Sequence, residues 1–136
     1  MSCRSAIYCT VSGVQVPANG QIPMGSVVRR FGPSLSLDGF GVTADECGYY
    51  AIDTVVTLVP EAAGNIGVQL YANGSPVQGA VATGVGADGS PITLPIVGMV
   101  RQRCCGATVF TLNLVSPDAA TTGALVQSGA TRIEKL

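Results

Sequence analysis

Three strand-like runs follow one another through CGYYAIDTVVTLVPEAAGNIGVQLYANGSPVQGA, residues 47–80, and the turns between them leave no room for a helix. Gly48 to Val59 is rich in tyrosine and β-branched residues, which suit a pleated, half-buried backbone, and Pro60 stops it. Ile66, Val68, Leu70 and Ala72 then alternate with Gly67, Gln69, Tyr71 and Asn73, a period of two that buries one face and wets the other. Asn73-Gly74 accepts the positive φ angles of a tight hairpin, so the third run, Val77 to Val85, returns antiparallel to the second. An antiparallel meander at the centre of the chain commits the rest to β structure.

The flanking segments agree. Ser5 to Val16 reads as a first strand with a bulge at Gly13, and Pro17-Ala18-Asn19-Gly20 is a second turn from which Gln21 to Phe31 resumes an extended course as a short hairpin. Phe31 to Gly48, rich in Gly, Ser and Asp, is expected to be a loop holding one short strand. Ala82 to Pro91 reads as a glycine-rich loop, and Ile92 to Val100 as a strand apolar on both faces. Gly106 to Val115 alternates cleanly until Ser116-Pro117-Asp118 ends it, and Thr122 to Leu136 should be a last strand held within a sheet. Eight to nine strands, no substantial helix and a turn signal roughly every 8–12 residues predict an all-β antiparallel sandwich; eight strands in two sheets make a jelly roll.

A chain of 136 residues is one domain by size. Only 11% of it is charged while 47% is hydrophobic, against about 25% charged in an average soluble domain. Part of its apolar surface should therefore be shared with a partner. A net charge of −1 and seven scattered Lys and Arg offer no basic stripe for phosphates, so no nucleic acid is expected. No apolar run follows Arg4 as an export leader requires, and Leu94 to Val100 is far shorter than the roughly 20 residues of a membrane span, so no membrane is expected either. Five cysteines, an odd number, argue against a fully paired disulfide framework and for synthesis in a reducing compartment.

Catalytic constellations are missing. The chain has no histidine, which removes the commonest general base and metal ligand together. Its carboxylates read as single solvated charges, except Asp53, a mid-strand face or interface charge paired with an arginine. Gly84-Val85-Gly86-Ala87-Asp88-Gly89 spells a dinucleotide motif but is followed by Ser90-Pro91 and a strand instead of the helix whose N-terminus would hold the pyrophosphate. Asn73-Gly74-Ser75, formally a glycosylation acceptor, is better read as the hairpin turn. Without a Cys-x-x-Cys pair no metal site is expected, and buried cysteines behave as small hydrophobes. The expectation is a protein that is not an enzyme and takes no cofactor.

The runs G-Y-Y-A-I-D-T-V from Gly48 and G-N-I-G-V-Q-L-Y-A-N-G from Gly64, with the closing A-T-R-I-E-K-L, resemble the tumour necrosis factor-like, complement-head jelly roll in its bacterial and phage forms. The resemblance covers roughly residues 45–136. It implies that the strands at Gly48 and Ile92 share the inner sheet, whose outer face packs about a threefold axis. It also implies that Cys47 lies at the same end of that sheet as Cys104 and Cys105, making these a possible thiol pair, with at most one of the two vicinal cysteines facing Cys47. Because the resemblance starts near Asp45, residues 1–20 are expected to be an anchoring arm or edge strand and residues 21–136 the jelly-roll sandwich.

Gly48 to Val59 and Ile92 to Val100 carry apolar residues on both parities, and only one face of a sheet can point into the core. The other needs a neighbour. The homotrimer interface is expected at Tyr49, Val56, Val97 and Met99, although the parity that meets the neighbour is not readable from the sequence. The functional expectation is a trimeric structural component of a phage virion, a capsid decoration or head-fibre protein. It would contact other virion proteins such as the major capsid protein and sit on the virion surface after assembly in the host cytoplasm. The alternative is a receptor- or carbohydrate-binding head of a tail fibre or spore-surface filament, in which loops do the work; the lack of tryptophan weakens its sugar-stacking form.

Overall fold

A computed structural model describes residues 4–103, 106–115 and 123–136. Among them are eleven strands and no helix. In chain order these are β1 (Ser5–Val16), β2 (Gln21–Ile22), β3 (Ser26–Phe31), β4 (Leu35–Asp38), β5 (Gly41–Ala44), β6 (Gly48–Pro60), β7 (Gly64–Ala72), β8 (Ser75–Gly86), β9 (Ile92–Gln102), β10 (Thr108–Val115) and β11 (Ala124–Lys135). Antiparallel pairing sorts them into a five-stranded sheet in the order β3-β1-β11-β6-β9 and a second sheet in the order β4-β5-β10-β7-β8, with β2 pairing beside β10.

The two sheets enclose one core. Every second residue of β10, from Thr108 through Phe110 and Leu112 to Leu114, is buried, and Ile66, Val68 and Leu70 of β7 lie beside them. Across the core stand Tyr50, Ile52 and Leu58 of β6 with Val126 and Ile133 of β11, and the Tyr50 and Phe110 rings meet at 6.1 Å, tilted by 56°. Two of the buried hydroxyls satisfy each other: Thr54 Oγ1 donates to Thr131 Oγ1 at 3.1 Å, so neither is left without a partner.

Local sequence explains the turns. Asn73 and Gly74 both take positive φ, 50° and 80°, and join Ala72 to Ser75 as the two-residue hairpin that the dipeptide predicts. Asn73 also ties the turn to the neighbouring strand: its Nδ2 donates to the Ala107 carbonyl at 3.1 Å and its Oδ1 accepts from the Val109 amide at 2.8 Å. Gly13 has φ of 68°, and the inward parity of β1 changes there, from Ile7 and Cys9 before it to Val14 and Val16 after it.

Several expectations need correction. Among the described residues the segment 4–20, expected as an arm or edge strand, is neither: β1 lies between β3 and β11, paired with β11 from Ser5↔Lys135 to Val16↔Ala124, and Ile7, Cys9 and Val16 are core residues. The strands number eleven among the described residues instead of eight to nine, because residues 31–48 hold the hairpin β4-β5 where one short strand is expected and the run from Gln21 to Phe31 divides into β2, paired with β10, and β3, paired with β1. Gly84 and Gly86 belong to β8, so the loop expected from Ala82 is confined to residues beyond Gly86. Gly84 borders Ile92, whose Cδ1 would stand 2.6 Å from an added Cβ. The space left by a missing side chain, and no phosphate loop, accounts for this glycine.

Candidate functional site

In β6 the even-numbered residues from Tyr50 to Leu58 point into the core, so Tyr49, Asp53, Val55 and Thr57 lie on the outer face of the five-stranded sheet. Its partner β9 alternates in the same way, with Leu94 and Ile96 inward and Pro95, Val97 and Met99 outward. The register assembles these into cross-strand rows. Tyr8, Arg132, Asp53 and Val97 form one, Thr10, Ala130, Val55 and Pro95 the next, and Ala6, Glu134, Ala51 and Met99 lie on the other side of the first.

The face is apolar and open. Tyr49, Val97 and Met99 are 51%, 67% and 61% exposed, with Val55 at 45% and Tyr8 at 38%. Beside Val55, towards β1 and β3, the small residues Thr10, Ser12, Ser128, Gly129 and Ala130 leave a shallow trough of about 760 Å³. One ion pair crosses this surface: Arg132 Nη2 donates to Asp53 Oδ2 at 2.5 Å, and the hydrogen bond and charge of Asp53 hold the guanidinium still more firmly protonated than usual. Asp53 is thus the arginine-paired face charge anticipated from its mid-strand position.

Of the four residues expected at the interface, Tyr49, Val97 and Met99 lie together on this face. Val56 does not. It is 1% exposed and packs in the core, because a strand turns successive side chains to opposite sides and Val56 shares the parity of Tyr50 and Leu58. Val55 takes its place outside. Tyr8, Val55 and Arg132 join the face without a sequence signal that marks them: Tyr8 belongs to it only because β1 lies inside the sheet, and Val55 differs from Val56 only in parity.

The near end of the same sheet holds the sulfur chemistry. Cys47, directly before β6, is disulfide-bonded. Cys104 and Cys105 lie outside the described residues, as does Cys3, so the expected Cys47 pairing with Cys104 or Cys105 carries forward as a proposal. Cys9 is free and fully buried in the core, and burial pushes its thiol pKa up, away from reactivity. Next to Cys47, Glu46 accepts a hydrogen bond from Lys135 at 2.9 Å, and that bond holds its carboxyl below the usual range. Tyr50 donates to the Glu46 carbonyl oxygen at 2.8 Å, tying this corner to the core.

No protein-family model matches the sequence, and no curated protein matches it. Solved structures do match in shape. Murine APRIL, crystallised at pH 5.0, superposes with a TM-score of 0.72 at 15% identity over 98% of this chain and 100% of that one. The globular domain of zebrafish complement 1qA gives 0.72 at 10% identity, covering 98% and 97%. The fold is the TNF/C1q-like jelly roll. A third jelly roll of this kind is the PRD1 vertex protein P5, with a TM-score of 0.66 at 17% identity over 97% of this chain and 96% of that one. Because each match spans nearly the whole chain, β1 is part of the shared jelly roll, in agreement with its place inside the sheet.

Proposed function

We propose that this protein is a non-enzymatic structural component of a phage virion, a capsid decoration or head-fibre protein, that trimerises through the outer face of β1, β11, β6 and β9. The observation that carries the reading is the apolar surface of Tyr8, Tyr49, Val55, Val97 and Met99 around the Arg132–Asp53 pair: a patch this apolar on one sheet face is a liability for a lone chain and is quenched by burial against copies of itself. The resemblance to jelly rolls that pack about a threefold axis supplies the number three. The likeness to a vertex protein, PRD1 P5, supports a place on a particle surface. A disulfide at Cys47 that closes on Cys104 or Cys105 fits a particle that leaves a reducing cell for an oxidising exterior.

Sedimentation of the purified protein at micromolar concentration tests the assembly. A trimer is expected, and Val97→Asp or Met99→Lys should yield folded monomers, whereas Val56→Asp should abolish folding. A stable wild-type monomer would defeat the reading. Addition of the trimer to particles lacking it, followed by co-sedimentation, tests the decoration role.

A further inference from the structure

We propose that the end of the sandwich where β6 begins and β9 ends is a docking surface for the acidic face of another protein. Ser5 opposes Lys135, Lys135 opposes Tyr50 and Tyr50 opposes Val100, so the next residue outward on each strand closes the sheet as one row of Arg4, Leu136, Tyr49 and Arg101. The Leu136 amide donates to the Tyr49 carbonyl at 2.9 Å, and the Arg101 guanidinium stands 5.9 Å from the centre of the Tyr49 ring. Arg103 lies two residues beyond Arg101, and Arg30 opposes Ile7 one strand away. Arginines far apart in the chain are thus gathered at one end, all four of them exposed.

None of the four is neutralised by a carboxylate among the described residues, where the ion pairs are Arg132–Asp53 and Lys135–Glu46. The opposite end of the strands carries Glu61, after β6, and Asp88, before β9, with no described Lys or Arg beside them. The sandwich is therefore polarised along its strands, basic at one end and acidic at the other.

Two features select a protein as the occupant over a phosphate chain. Asp45, Glu46 and Glu134 are interleaved with the arginines at this end and would repel a continuous polyanion. Phe31 and Leu136, 59% and 61% exposed, stand among the guanidinia and offer apolar contact, while the Tyr49 ring, assigned above to the face shared by copies, positions the Arg101 guanidinium. Arginine mixed with aromatics is the composition of protein-interface hot spots, and the planar guanidinium fork takes a carboxylate through two parallel bonds. In the trimer proposed above, three copies of the row would ring one end of the assembly; that multiplication rests on the trimer reading, while the contact made by one chain does not.

Fluorescence anisotropy with a labelled peptide whose glutamates are spaced by leucine and serine, and with an oligothymidylate of equal charge, tests the assignment on the full chain. The peptide should bind, weaken as salt is raised, and bind more tightly than the oligonucleotide. Binding should fall by about tenfold or more in Arg4→Gln/Arg101→Gln/Arg103→Gln, in line with the loss of several charge-assisted contacts, and stay unchanged in Glu61→Gln/Asp88→Asn. Should the triple variant fail to fold, Arg103→Gln alone must still show a clear loss. Absence of peptide binding, binding indifferent to these arginines, or preference for the oligonucleotide overturns the proposal. So does salt-sensitive head-to-tail growth of the protein in sedimentation, which would make the occupant the acidic end of a second copy. A monomeric wild type that binds the peptide would sink the trimer and leave this surface standing; a trimer that ignores the peptide would do the reverse.

Discussion

The placement of β1 inside the five-stranded sheet is tested by Ile7→Ala. Ile7 is 1% exposed within the core cluster, on a strand paired along its length with β11. The substitution removes three buried carbons, worth about 2.5 kcal/mol at roughly 0.8 kcal/mol per methylene. The cavity left between two paired sheets adds to this, for a total of about 3–4 kcal/mol, inside the range of roughly 2–5 kcal/mol typical of such truncations. For a domain of this size the loss lowers the melting temperature by about 10 °C. Urea unfolding followed by circular dichroism reads the change as a lower midpoint at unchanged slope, with protomer concentration held fixed because assembly would shift the midpoint by mass action. Ser12→Ala, an exposed position on the same strand, should stay within about 0.5 kcal/mol of wild type. If Ile7→Ala unfolds at the wild-type midpoint, β1 is not part of the cooperative core. The same reasoning predicts that deleting residues 1–12 abolishes folding, where an anchoring arm would leave a folded trimer.

Three further outcomes follow from particular contacts. Thr54→Val or Thr131→Val alone should cost about 1–2 kcal/mol by orphaning the other hydroxyl, while the double variant recovers most of that loss, a non-additivity that a double-mutant cycle in urea measures. Glu46 has a folded pKa below its ordinary value, so its contribution is complete above that value and disappears as pH falls through the depressed one; Glu46→Gln should flatten the acid limb of the stability profile and leave its neutral-to-alkaline shape unchanged. Asn73→Ala removes two hydrogen bonds and places alanine at φ of 50°, which should destabilise by about 1–3 kcal/mol in thermal melts.

The parts of the fold that the sequence makes legible are those in which the physical signal is local. Asn73-Gly74 carries its own φ preference, and the alternation through Thr108, Phe110, Leu112 and Leu114 is a direct imprint of a strand with one buried side. The hairpin β4-β5 leaves no legible trace because its strands have four residues each, too few for a period of two to stand out against the glycines and serines around them. The placement of β1 is illegible for another reason: its partner β11 comes more than a hundred residues later, and no local pattern records which strand lies beside it.

The same distinction governs the candidate site. That β6 and β9 must share an apolar outer face follows from composition, since both parities are apolar and a sandwich has one inside. Which parity is outside does not follow. Val55 and Val56 are chemically identical neighbours, and a shift of one residue exchanges their roles completely. What decides is the rest of the inward set: Tyr50 brings a ring that meets Phe110 and a hydroxyl that needs the Glu46 carbonyl, while Asp53 carries a charge that must reach Arg132 outside the core. Burying Asp53 with Val55 would strand a carboxylate between the sheets at a cost of several kcal/mol, far more than exposing one valine. The charged residue sets the parity of the whole strand, and through it puts Val56 in the core and Val55 on the face that copies of the chain would share. The arginines at the end of the sheet follow the same logic at longer range. Positions 4, 30, 101 and 103 look scattered until antiparallel register brings them towards one end of the strands, so a sequence without a basic stripe folds into a molecule with a basic end.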